Sequence, residues 1–136
     1  MFYYEMHAHT NAASLCSLVA PEDYIKFYVD RGYSGMVITD HFYHGNTSVD
    51  RSFPWEVFID EFCDGYYRAK KEAEKYDFTV LFGFEQKFNN GTDEYIVLGI
   101  SPEWLREHPE IRDMKRVEFF KYIRAAGGYV IQAHPF

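Results

Sequence analysis

The chain has 136 residues, 47 % of them apolar and 20 % aromatic, which suffices for one domain with a real hydrophobic core and excludes a disordered segment. Its 14 lysines and arginines against 21 aspartates and glutamates leave a net charge of −7, which argues against bulk binding to nucleic-acid phosphates. Cys16 and Cys63 are too few for a disulfide scaffold, no signal-peptide pattern opens the chain, and no apolar run approaches the roughly 20 residues of a membrane span, so a soluble, cytoplasmic protein is expected.

In chain order, residues 2–6 read as a strand that runs directly into "HAHT". "APEDYIKFYVDRGY" reads as a helix, with Pro21 in its first turn, Glu22 and Asp23 near its positive end, Gly32 as its stop, and Ile25, Tyr28 and Val29 as its buried stripe. "GMVITD" is an almost wholly apolar strand of the kind buried on both faces of a parallel sheet. After a looser stretch, a long helix begins near Pro54, with Trp55, Phe58, Ile59, Phe62, Tyr66, Ala69 and Ala73 at helical spacing. "FTVLFGFE" and "EYIVLGI" read as two strands joined through the turn "NNGTD", hairpin-fashion. Short helices near Pro102–Glu107 and over 115–126 precede Gly127, Gly128 and a fifth strand, "YVIQA". This alternation predicts an α/β architecture with a largely parallel sheet.

Chemically active residues fall at the ends of four of these strands. His7 and His9 end the first, Asp40 and His41 the second, Glu85 the third and His134 the fifth. His7 and His9 are two apart, so in an extended strand they face the same side, about 6–7 Å apart along the backbone. Parallel α/β sheets build their sites at the C-terminal strand edge, so residues distant in sequence are expected to meet there. Imidazoles and carboxylates gathered in one place predict a divalent-metal site.

"HAHT", "ITDH", "GFE" and "AHPF" match in order the motifs of the polymerase and histidinol phosphatase (PHP) family of metal-dependent phosphoesterases, which the chain resembles over nearly its whole length. The resemblance implies a distorted (β/α)7 TIM-like barrel with two or three divalent ions, zinc, manganese or iron, at its C-terminal mouth. It implies that His7 and His9 bind one ion, that Glu85 bridges two, that His134 is a further ligand and that His41 serves another ion. Asp40 would be site-associated, orienting a ligand histidine. The activity implied is hydrolysis of a small phosphorylated substrate by a metal-bound hydroxide. Arg51 and Lys87 are candidate phosphate contacts, and His44 is a candidate to assist binding or protonate a leaving group.

The sequence departs from the family pattern in three places. Where relatives supply an acid or histidine after the first motif, it reads "NAASLCSLVA", offering only Cys16 or Ser17. Where many have a histidine near the fourth strand, it reads "TDEYIV", so Asp93 or Glu94 either substitutes or belongs to an exposed turn. The family's closing Asp-x-His motif lies beyond "AHPF", and such a barrel takes ~200 residues or more, so an incomplete PHP domain over 1–136 is expected, with an apolar strand edge prone to self-association. Two other readings stay open. One is an amidohydrolase-like enzyme acting on C–N bonds, which a metal-bridging lysine such as Lys87 would favour; the other is a metal-binding or interaction module without turnover. His108 is expected to be solvated.

Overall fold

The structure, a computed structural model, describes residues 1–135. Strand β1 (Tyr4–Ala8) is followed by helix α1 (Pro21–Val29), strand β2 (Gly35–Ile38), helix α2 (Trp55–Ala73), strands β3 (Thr79–Lys87) and β4 (Glu94–Leu98), helix α3 (Pro102–Glu107), a 3-10 turn (Pro109–Asp113), helix α4 (Arg116–Ala125) and strand β5 (Tyr129–Ala133). Local chemistry explains the boundaries. Pro21 opens α1 with Glu22 and Asp23 in the first turn, and Gly32 at φ 75° supplies the left-handed residue that stops it. In α2 the periodic stripe buries Phe58, Ile59, Phe62, Ala69 and Ala73. Gly65 lets α2 approach the loop after β1, because a Cβ there would meet Thr10 Oγ1 at 2.9 Å and Ala12 Cβ at 3.0 Å.

The strands form one sheet in the order β1-β2-β3-β4-β5. The β1–β2 and β2–β3 pairs are parallel, but both β3–β4 and β4–β5 are antiparallel. The expectation of a largely parallel sheet is therefore corrected: half of the pairings are antiparallel, because the short turn after Lys87 permits only a reversal of β4, and β5, reached through α3 and α4, returns beside it in the direction of β3. Two reversals restore the direction, so β1, β2, β3 and β5 all point the same way. Their C-terminal ends share one edge, and the N-terminus of β4 lies on it too.

All the helices pack on one face of the sheet. Met36, Ile38 and Val80 pack with Ile25, Ala69 and Ala73, while Phe84 and Val97 pack with Phe58, Phe62, Leu105, Phe119 and Ile123. The residues between them in the strands face the other way. On that inner face Met6, Leu81, Tyr129 and Ile131 are exposed. A register shift between Glu5 and Ala8 in β1 breaks the strict alternation in the stretch that contains His7.

Candidate metal centre

At the shared strand edge four histidines surround one carboxylate. Glu85 is fully buried; its Oε1 lies 3.3 Å from His7 Nε2 and 3.5 Å from His134 Nε2, while its Oε2 lies 3.3 Å from His9 Nε2 and 2.9 Å from His41 Nδ1. Each oxygen thus has its own pair of imidazoles. His7 Nε2 and His9 Nε2 are 3.1 Å apart, and the His9 and His41 rings stack at 4.3 Å. Glu94 Oε1 stands 3.7 Å from His41 Nδ1 and 3.9 Å from Lys87 Nζ. His134 holds φ at 49°, a left-handed backbone that is strained for a side chain with a Cβ and that turns the chain at the cluster.

The backbone around the cluster is held from several elements. The His7 amide donates to Glu5 Oε1 (3.0 Å), and Glu5 Oε2 accepts from the Tyr28 hydroxyl (3.0 Å). The Ala8 amide donates to Thr39 Oγ1 (2.9 Å), locking the residue between the two histidines. The Glu85 amide donates to the Asp40 carbonyl and the Phe42 amide to the Glu85 carbonyl, both at 2.9 Å, so His41 and Glu85 sit in register. Asp40 is 2 % exposed and accepts from the Thr10 amide, the Thr10 hydroxyl (2.7 Å) and the Ser14 hydroxyl (2.7 Å); Ser14 Oγ in turn accepts from the His41 amide (3.0 Å).

Charge follows from this packing. Burial works to raise the Glu85 carboxyl, but the close approach of the His41 and His7 imidazoles outweighs it and holds the group at about 2. His7 is raised from its ordinary value by the nearby Glu85 carboxylate, against the effect of burial. His9 is lowered to about 4 by burial and by neighbouring His41, so near neutral pH its imidazole is uncharged with a free lone pair. Burial raises Asp40 despite the donors from Ser14 and Thr10.

These residues fit a divalent cation. Both Glu85 oxygens and the Nδ1 atoms of His9 and His41 are buried without a hydrogen-bond partner, a costly arrangement unless a cation satisfies them. Two nitrogens bound to zinc in a tetrahedral site lie about 3.3 Å apart, given Zn–N bonds of roughly 2.0–2.1 Å. The separations of 3.1 Å between His7 and His9 and 3.3 Å from each to Glu85 match that edge length.

The structure brings together His7, His9, His41, Glu85 and His134. Asp40 stands apart from the imidazoles: its carboxylate accepts from Thr10 and Ser14, and because Ser14 Oγ accepts from the His41 amide, Asp40 reaches His41 through Ser14. His44 stands apart as well, its Nε2 2.8 Å from the Arg112 carbonyl in a neighbouring cleft lined also by Asp93 and Arg116. Arg51 is no free phosphate contact, since its guanidinium donates to the carbonyls of Tyr43 (2.5 Å) and Gly45 (2.7 Å). His108 is half-buried rather than fully solvated; its ring stacks on Trp104 at 3.9 Å and its Nδ1 lies 2.6 Å from the Trp104 carbonyl. Two positions left open by the sequence resolve differently. Glu94 joins His41 and Glu85 in a group of potential ligands, and Cys16 groups with His9 and His41, whereas Asp93 pairs with Arg116 at 3.3 Å. The signal for Glu94 was there to read: in a hairpin, the first residue of the returning strand lies opposite the end of the outgoing one.

An α/β sheet that gathers imidazoles and carboxylates at the C-terminal edge of its strands has the layout of a barrel hydrolase. The chain belongs to the PHP domain family, whose model matches residues 5–129. No curated protein matches it. Among solved structures, it resembles a two-domain protein from Bacteroides vulgatus containing a predicted PHP-like metal-dependent phosphoesterase, at 14 % identity and a TM-score of 0.62, covering 93 % of this chain and 33 % of that one. It also resembles an amidohydrolase from Chromobacterium violaceum with bound sulfate, at 19 % identity and a TM-score of 0.51, covering 80 % of this chain and 34 % of that one. The chain thus spans about a third of the length of these structures. The fold is a curled, five-stranded part of a TIM-like barrel; the described residues hold five strands, not the seven expected of the whole barrel.

Proposed function

We propose that the protein is a divalent-metal-dependent hydrolase of small phosphate esters. The observation that carries this reading is Glu85, a fully buried carboxylate whose two oxygens lie within 3.5 Å of nitrogens of His7, His9, His41 and His134. Divalent ions such as zinc, manganese or iron supply Lewis-acid activation of water and of the ester oxygens. The protein's own part is positional. Glu85 supplies buried negative charge, His7, His9, His41 and His134 supply nitrogens on two sides of it, and Glu94 adds a second carboxylate beside His41. Glu5, Thr39 and the Asp40–Ser14 pair hold the ligand-bearing backbone in place. Lys87 stands beside Glu94 at the rim, where an anionic substrate would meet a cation. Two free thiols fit a reducing, cytoplasmic setting.

The competing chemistry is amidohydrolase-like cleavage of C–N bonds. It calls for a lysine between the ions, and that place belongs to Glu85, while Lys87 pairs with Glu94 at 3.9 Å. Elemental analysis of the purified full-length protein, followed by hydrolysis of p-nitrophenyl phosphate with added zinc or manganese, tests the proposal. At least one equivalent of metal together with metal-dependent release of nitrophenol is expected. Bound metal without turnover would favour a non-catalytic module, and cleavage of amide substrates alone would favour the competing chemistry.

A further inference from the structure

Cys16 lies outside the ligand set that the family motifs supply, yet one ligand atom each from His9, Cys16 and His41 lie within 4.8 Å of one another. His41 is 8 % exposed and its Nδ1 has no hydrogen-bond partner, as is also true of the buried Nδ1 atom of His9. Two imidazoles, each with a buried nitrogen that lacks a hydrogen-bond partner, therefore stand beside one sulfur. The turn that carries Cys16 is fixed: the Ser14 hydroxyl is bound to Asp40, the Leu15 amide donates to the Asn46 carbonyl at 3.0 Å, and the Thr47 hydroxyl donates to the Ala13 carbonyl at 2.9 Å. The Cys16 side chain itself is exposed, so it can rotate onto an ion that the histidines already hold. Asp40 therefore anchors the sulfur-bearing turn and, through Ser14, the His41 backbone.

We propose that His9, Cys16 and His41 bind a divalent ion through a thiolate, so that this pole of the cluster takes a thiophilic ion, zinc above all, in preference to manganese or magnesium. The inference rests on the metal-cluster reading above and adds the metal class to it. A thiolate is a soft donor that favours zinc, whereas sites of carboxylate and carbonyl oxygens suit magnesium and manganese. Three protein ligands leave a fourth position open, as catalytic zinc sites do. Binding releases the thiol proton to solvent. Cys63 supplies an internal contrast: it is buried in the helix layer, and burial pushes its thiol well above the ordinary value, so it does not react while the protein is folded.

The test uses the full-length protein loaded with cobalt(II), together with C16S and C16D variants. The wild type is expected to show a thiolate-to-cobalt charge-transfer band in the near ultraviolet, which both variants lose while keeping the visible cobalt bands from the histidine ligands. Iodoacetamide should alkylate Cys16 in the metal-free protein and be blocked by zinc but not by an equal concentration of manganese. C16D, with a hard oxygen in place of sulfur, should lower the zinc-over-manganese preference by at least about tenfold. A charge-transfer band that survives in C16S, or equal alkylation with and without saturating zinc, overturns the role of Cys16 while leaving the cluster standing. Absence of any cobalt absorption in the wild type overturns the cluster reading, and this inference with it.

Discussion

The two faces of the sheet carry similar apolar residues in opposite surroundings. On the helix-covered face Met36, Ile38, Phe84 and Val97 are at most 1 % exposed. On the inner face Leu81 is 46 % exposed and Ile131 52 %, while Glu85, a few residues along the same strand as Leu81, is 0 % exposed. A buried carboxylate beside exposed aliphatic side chains inverts the usual distribution, and such an inversion marks function rather than packing. The covered face supplies the stability; the open one surrenders it at its upper edge to hold buried polar groups that lack a hydrogen-bond partner among the described residues.

Truncation on the covered face is the most direct way to break this contrast. Phe84→Ala removes a fully buried ring packed against Phe42 and should destabilise the protein by about 3–5 kcal/mol in urea titration. A loss below about 1 kcal/mol would show that the helix layer is not where the stability lies.

Glu85→Gln sharpens the comparison at the edge. The amide keeps the shape and loses the charge that offsets the cations, so metal affinity should fall by at least about tenfold and phosphoesterase activity should fall with it. The metal-free variant should be no less stable than the metal-free wild type, because a buried charge has been removed. Unchanged metal content by elemental analysis would argue against bridging.

Asp40→Asn tests whether the edge is built from behind. The amide cannot accept all the hydrogen bonds from the Thr10 amide, the Thr10 hydroxyl and the Ser14 hydroxyl, so a loss of about 1–3 kcal/mol is expected. Metal affinity should weaken too, as the turn bearing Cys16 loosens. Loss of stability with full metal affinity would confine Asp40 to the fold.

The smallest effect is expected at the bare part of the inner face. Leu81→Ser should change stability by no more than about 0.5 kcal/mol, since the side chain is half in solvent. A larger loss, or a change in sedimentation coefficient, would show that something covers this face in solution, such as a second copy of the chain.

Much of the element layout was legible in the sequence. The α2 stripe, the Pro21 and Gly32 boundaries of α1 and the extent of α3 follow from periodicity and capping, which act over a few residues and need no partner. The strand-end positions of His7, His9, His41, Glu85 and His134 were legible for the same reason. The partners of Asp40 and His44 were not legible, because a residue's position after a strand does not fix the direction of its side chain once the strand has ended. Their partners, Ser14 and Arg112, lie 26 and 68 residues away.

The sequence by itself determined which residues form strands and helices, and that imidazoles and a carboxylate stand at strand ends. Only the tertiary structure decided that β5 pairs antiparallel with β4, which aligns His134 with Glu85, and that the hairpin expected of β3 and β4 brings Glu94 beside His41. It also decided that Asp40 faces inward to hold the turn bearing Cys16. Periodicity and capping are short-range, whereas strand direction and side-chain partners across the sheet depend on contacts that exist only once the chain has closed on itself.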